Sequence, residues 1–378
     1  MAGRSRNLGL LALAAVLAAV ALAVPPIRTP PPAPAPTLAP DAAVAPSPPS
    51  ASATPSAEPP PVDDAAYDYD IDALPIPEQR EAMLRKMEFS LGLDAATLAK
   101  LRAIVTASDW MSQGNPEISK HPMTRAECRE RRRVAAKLAA PEPRCGAANM
   151  VPLTREGHAI APAQLACIDQ YEFPNVACEY PVVWVRADEA SGLCRAMGKR
   201  LCDAHEWEGA CAGEVKDPRS DYHWDKDRIN AEYAHNLERE IVWAYGPKKN
   251  HALCATGAKK SPKCLAGGFT LCGTNDYPAG AFPECVSPLG VYDQHGNAAE
   301  HMSLPMKWEE LGSLGGTGET EMKGSWFIFQ QAEAHLDDCR FRAPRWHVTK
   351  VTDPNSHRNY HLGFRCCRDV PARNGTNG

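Results

Sequence analysis

All 14 cysteines of this chain fall between Cys128 and Cys367, downstream of an N-terminus with the character of an export signal. An even cysteine count beyond such a signal favours disulfides, because thiols persist mainly in reducing compartments. The alternative is metal binding, but no C-x-x-C pair occurs, and zinc sites usually draw paired ligands from such tight turns. Up to seven bridges can therefore form. A region stapled to that extent can hold together with little regular secondary structure.

Arg4 and Arg6 precede an apolar run from Leu8 to Val24, the charged and apolar parts of a targeting segment. The run sits at the lower limit for a spanning helix, which needs about 20 residues, so residues 1–24 fit either a cleaved signal or a retained anchor. Both place the protein in the periplasm or at the cell surface, with N-terminal membrane association if the segment is retained. Of the 35 prolines, 15 lie between Pro25 and Pro61. Together with Ala, Ser and Thr, and with acids such as Asp63, Asp68 and Asp70, they make 25–76 a disordered spacer that cannot bury enough apolar surface to fold. A net charge of -5 gives no electrostatic reason to expect nucleic acid.

Residues 77–144 read as a small helical segment. Pro77 suits a first turn, Met83, Met87 and Leu91 form one apolar stripe, and Gly92 ends it. Asp94 is placed to cap a second helix with Leu98, Leu101 and Val105 on its inner face. Thr124 and Glu127 have the spacing of a capping box for a third helix. That helix carries Cys128 and the basic run Arg129, Arg131, Arg132, Arg133. An acidic partner or anionic lipid would suit the run, but a solvated face is favoured in a chain of net negative charge. From Cys145 the texture changes to short runs between Gly, Pro, Asn and Asp. Val182 to Val185 reads as a buried strand, and Ala187 to Gly198 as a helix. Residues 371–378 read as a disordered tail.

Four blocks in this region carry a family pattern. The first is Ile168-Asp169-Gln170-Tyr171-Glu172-Phe173-Pro174-Asn175. The second runs from Cys194 through Gly198-Lys199-Arg200-Leu201 to Glu206-Trp207-Glu208. The third is Gly290-Val291-Tyr292-Asp293 with Gly296-Asn297 and Glu300. The fourth pairs Gly324-Ser325-Trp326 with Leu362-Gly363-Phe364-Arg365. In this order they resemble the sulfatase-modifying-factor family, whose best known members are formylglycine-generating enzymes. The resemblance covers roughly Cys145 to Asp369 and implies a domain at 145–370. The fold it implies is α+β with much irregular coil, related to C-type lectins and here preceded by the helical segment. Arg200, Glu206 and Glu208 can form buried ion pairs, and Trp207 and Trp326 can anchor a core.

The third block offers chemistry. Asp293 and Glu300 are hard oxygen donors flanking a glycine-containing turn that can aim carbonyls at the same point, as calcium requires. The resemblance implies calcium held by the Asp293 and Glu300 side chains with the carbonyls of Gly296 and Ala298. The alternative is a turn whose acids cap backbone N–H groups. Formylglycine-generating members bind copper(I) through two cysteines after the G-S-aromatic block, since soft thiolates suit that ion. Here those positions hold Ile328 and Glu333, which leaves Cys339 as the one candidate catalytic residue nearby and argues against copper. The resemblance further implies disulfides Cys178–Cys366 and Cys194–Cys339, with Cys366 and its neighbour Cys367 not separable.

Three functions fit. The favoured one is a noncatalytic, calcium-supported binding or structural module at the cell envelope, whose partner is an exported protein or a glycan. The others are a formylglycine-generating-enzyme-like oxidoreductase acting on exported proteins, for which His295, His301, His335 and His347 are available as other ligands, and a lectin-like carbohydrate binder suggested by fold analogy.

Overall fold

The computed structural model describes residues 74–370 apart from 136–142, 154–165, 266, 312–317 and 344–348. The expected targeting segment, nearly all of the expected spacer and the expected tail lie outside them. The described residues all belong to one unit, Pro61–Gly378.

Local signals set the first helices. Helix α1 (Ile76–Leu91) has proline in its first turn and stops at Gly92, whose φ of 65° is the left-handed conformation that glycine adopts without a steric penalty. Helix α2 (Ala95–Ala107) is capped by Asp94, whose Oδ1 accepts from the Thr97 N–H at 2.7 Å. Helix α3 (Arg125–Ala135) starts on the expected box: Thr124 N–H donates to Glu127 Oε2 at 2.7 Å, and Glu127 N–H to Thr124 Oγ1 at 3.2 Å.

These helices share the core of the chain that follows. Met83, Leu84, Met87, Leu98, Leu101 and Val105 cluster with Phe173, Phe364 and Leu193, the last on α4 (Ala187–Ala196). Helix α3 is fixed by more specific contacts. Arg125 pairs with the buried Glu179 at 2.5 Å, and Cys128 is bridged to Cys178. Arg132 donates to the Gly280 carbonyl at 2.8 Å and to the Tyr171 hydroxyl at 2.6 Å. The basic run is a solvated face at Arg131 and Arg133, as expected, but not at Arg132. Arg133 is exposed beside Glu130, but Arg132 is 7% exposed and lies over the Tyr292 ring.

The sheets are small. Strands β1 (Met150–Pro152), β2 (Ala166–Asp169), β3 (Arg200–Leu201) and β7 (Cys366–Asp369) form an antiparallel sheet in the order β1-β2-β7-β3. Strands β4 (Ala299–Leu304), β5 (Glu319–Lys323) and β6 (Leu362–Phe364) form another in the order β5-β4-β6, with β4 and β6 parallel. Helices α5 (Ala204–Ala212), α6 (Pro218–Asp221) and α7 (Arg228–Glu238) lie between β3 and β4 in sequence. Val182 to Val185 is buried as expected but is no strand. It makes one bridge, Ser112 to Val183, before Trp184 turns the chain out of the extended path with a φ of 59°.

All 14 cysteines are paired, as Cys128–Cys178, Cys145–Cys167, Cys194–Cys366, Cys202–Cys367, Cys211–Cys339, Cys254–Cys285 and Cys264–Cys272. The pairings Cys178–Cys366 and Cys194–Cys339 are therefore corrected. Successive residues of a strand point to opposite faces. On β7, Cys366 accordingly enters the cluster that holds Cys194 of α4, and Cys367 enters the one that holds Cys202. Cys178 is taken instead by α3, and Cys339 by Cys211 of α5.

Candidate functional site

The turn before β4 is built from unusual backbone. Asp293, Gly296 and Asn297 all have positive φ, and a Cβ on Gly296 would lie 2.6 Å from the Ala255 carbonyl oxygen. Only glycine fits there. The turn delivers Glu300 into β4, the central strand, opposite Lys323 of β5 and Gly363 of β6. Arg365, just beyond β6, grips Glu300 with a two-pronged contact: Nη2 donates to Oε1 at 2.6 Å and Nε to Oε2 at 2.7 Å. Trp207 Nε1 adds a third bond at 3.1 Å. Asp293 Oδ2 accepts from the Gly280 N–H at 2.5 Å, whereas its Oδ1 is buried without a partner.

A third carboxylate completes the cluster. Glu172 accepts from the Asn297 side-chain amide at 2.6 Å and from the Ala298 N–H at 2.8 Å. All three acids are buried. Burial pushes the Asp293 carboxyl up to about 6, and burial together with the charges of Asp293 and Glu300 raises Glu172 well above the usual carboxylate range. The buried Asp293 Oδ1 without a hydrogen-bond partner is a hard oxygen donor of the kind a hard cation takes. At Glu300 the ion would share the carboxylate with Arg365. The residues that single-block reading missed are Glu172 and Arg365. Each stands in a block of its own, and no local spacing shows that the blocks converge.

The positions where the resemblance places copper ligands are occupied by other chemistry. Ile328 packs in an apolar cluster with Trp326, Phe327 and Phe329. Glu333 is half-exposed and pairs with Lys249 at 2.5 Å. Cys339, the candidate nearby, is fully buried in its bridge to Cys211. Among the candidate histidines, His301 bonds the Val185 carbonyl at 3.0 Å and His335 the Leu336 carbonyl at 2.6 Å. His295 lies against the Cys211–Cys339 bridge, and His347 lies outside the described residues.

The charges of the second block serve structure. Arg200 pairs with Glu206 at 2.6 Å. Glu208 accepts from Lys323 at 2.8 Å and from Arg342 at 2.8 and 3.1 Å, while Arg342 also reaches Asp221 at 2.9 Å. Burial alone would raise the Glu208 carboxyl, but Arg342 and Lys323 outweigh it and hold Glu208 down at about 2.

Among the described residues no helix is long and apolar enough to cross a membrane. A comparison with curated proteins finds no match. Among solved structures, the crystal structure of CarF is similar at 12% identity, covering 69% of this chain and 85% of that one, with a TM-score of 0.28. The model of the sulfatase-modifying factor enzyme 1-like domain matches residues 153–370. The match spans more than half of the chain and takes in all four sequence blocks, the carboxylate turn and five of the seven bridges at both ends, so the chain belongs to the sulfatase-modifying factor family.

Proposed function

We propose that this protein is an exported, noncatalytic member of its family: a calcium-supported binding or structural module at the cell envelope, whose partner is an exported protein or a glycan. The observation that carries the noncatalytic reading is the state of the thiol position. Ile328 and Glu333 stand where the family resemblance places the two copper ligands, and the bridge to Cys211 leaves Cys339 without a thiolate. An aliphatic side chain cannot ligate copper, and a carboxylate is a hard donor poorly matched to Cu(I). Loss of both ligands removes the oxidase rather than slowing it. The test supplies copper(I), oxygen and a cysteine-containing sulfatase peptide to the purified protein and follows peptide mass. No mass change above a copper-only control is expected. Formylglycine production abolished by Cys339→Ser would restore the oxidoreductase reading.

Seven bridges suit an oxidising compartment, and Arg4 and Arg6 before the apolar run support export. The calcium part rests on the unpartnered Asp293 oxygen and the three buried acids. A ligand bound only by the folded state stabilises it by ~2.7 kcal/mol at about a hundred times its dissociation constant. Chelation should therefore lower the melting temperature by roughly 5 °C or more. Asp293→Asn should lose that response. A wild-type melting temperature that ignores both chelator and added calcium would reduce the site to a turn held by hydrogen bonds.

A further inference from the structure

The Cys211–Cys339 bridge has a neighbour that no structural staple requires. His295 is fully buried, and its Nε2 lies 3.3 Å from Cys211 Sγ and 3.7 Å from Cys339 Sγ. In a tetrahedral site with metal–sulfur bonds of about 2.3 Å and metal–nitrogen bonds of about 2.0–2.1 Å, sulfur and nitrogen are separated by ~3.6 Å. Both nitrogen–sulfur edges of such a site are thus already in place. The third edge is the Cys211–Cys339 bond itself.

The far side of the ring supplies a second, independent observation. His295 Nε2 accepts from the Ala244 N–H at 3.0 Å, which leaves the ring proton on Nδ1. Nδ1 is buried on the Asp337 side of the ring, within the influence of that residue's backbone and with its Oδ2 at 3.9 Å. Asp337 is held in turn by His251 at 2.9 Å and by the Trp243 indole N–H at 3.2 Å. Metal-bound histidines ordinarily direct the second ring nitrogen at a carboxylate, which fixes tautomer and orientation. Here the carboxylate is present and anchored, a short closure away from the bond.

We infer that Cys211, Cys339 and His295 form a redox-gated site for a soft d10 cation, with Asp337 as the positioning residue behind the histidine. Oxidised, the pair is a structural bridge. Opening it takes two electrons, supplied by a dithiol reductant that becomes a cyclic disulfide. The two protein thiols then lose their protons as the cation binds, and the cation keeps its oxidation state throughout. Two thiolates and a neutral imidazole suit either Zn(II) or Cu(I), which share this donor preference. His295 exchanges its bond from Ala244 for the cation. Bridge and bound metal exclude each other, because the same sulfur electron pairs make both.

The experiment uses the full chain under anaerobic conditions with graded dithiol reductant. Differential alkylation and peptide mapping report which bridges are open, near-ultraviolet circular dichroism reports the fold, and Zn(II) or Cu(I) is titrated in separate arms against a competing chelator. Opening of Cys211–Cys339 in the folded protein should coincide with uptake of one equivalent that Cys211→Ser/Cys339→Ser lacks. Preference for one cation identifies the occupant and supports the site in either case. His295→Gln should weaken binding by more than tenfold. Should that variant unfold, Asp337→Asn, which leaves all three ligands, should weaken it by about tenfold. Equal uptake by the double serine variant, affinity unmoved by both His295→Gln and Asp337→Asn, or a bridge that opens only when the fold is lost would each overturn the assignment. These outcomes are read from bridge opening and metal uptake, whereas the noncatalytic reading is tested by peptide mass, so failure of one is distinguishable from failure of the other.

Discussion

Glu208→Ala is expected to destabilise the protein by about 3–5 kcal/mol, the range for removing one partner of a buried ion pair. The cost arises from what stays behind. Lys323 and Arg342 are both nearly inaccessible, and Glu208 is the carboxylate that both contact. Arg342 retains Asp221, whereas Lys323 retains the Phe341 carbonyl and the face of the Trp207 ring. The same geometry sets an acid limit. The Glu208 carboxyl sits at about 2 in the fold against an ordinary 4.5, so its contribution is present above 4.5 and is lost as pH falls toward 2. Denaturant unfolding of wild type and variant at neutral pH and near pH 3 checks both statements. The gap between the two proteins should narrow on acidification. A gap below about 1 kcal/mol at neutral pH would show that the network does not hold the fold.

A chain that begins at the family match, residue 153, is expected not to fold. The domain boundary suggested by the match omits α1, α2 and α3, yet Met83, Leu84, Met87, Leu98, Leu101 and Val105 are buried in the shared core. At roughly 1.5–3 kcal/mol for each buried side chain, these six alone contribute about 9–18 kcal/mol. That equals or exceeds the ~5–15 kcal/mol net stability of a typical domain. The truncation also strips Arg125 from the buried Glu179 and Cys128 from Cys178. Cooperative unfolding and near-ultraviolet circular dichroism should be present in a chain starting at residue 74 and absent in one starting at 153. A Cys128→Ser/Cys178→Ser variant of the longer chain separates loss of the helices from loss of the bridge. A cooperative unfolding transition from the shorter chain would show that the helices are an addition to a self-sufficient domain.

Much of this protein was legible in its sequence, for reasons that differ by feature. The ends of α1, α2 and α3 could be read because caps are local: Gly92, Asp94 and the Thr124–Glu127 pair act within four residues of themselves. The fold class followed from four blocks in family order, and the burial of Trp207 and the Arg200–Glu206 pair followed from the chemistry of those residues. Disulfide bonding itself was implied by cysteine number and position.

Tertiary structure alone decided how those pieces meet. Which of the adjacent Cys366 and Cys367 joins Cys194 depends on the face each takes on β7, and that depends on how β7 registers against β2 and β3. The basic run on α3 divided according to what lay beneath it, with Arg132 buried on Tyr171 and Gly280 while Arg133 stayed in solvent. Glu172, Asp293, Glu300 and Arg365 were each visible as motif residues, but their convergence spans 193 positions of the chain. His295 gained its place beside two sulfurs in the same way, through α5 and the segment around Cys339 folding against one turn. A sequence records the local preferences of a residue and the company it keeps along the chain. Burial, charge balance and the direction of a side chain depend on neighbours that only the folded chain supplies.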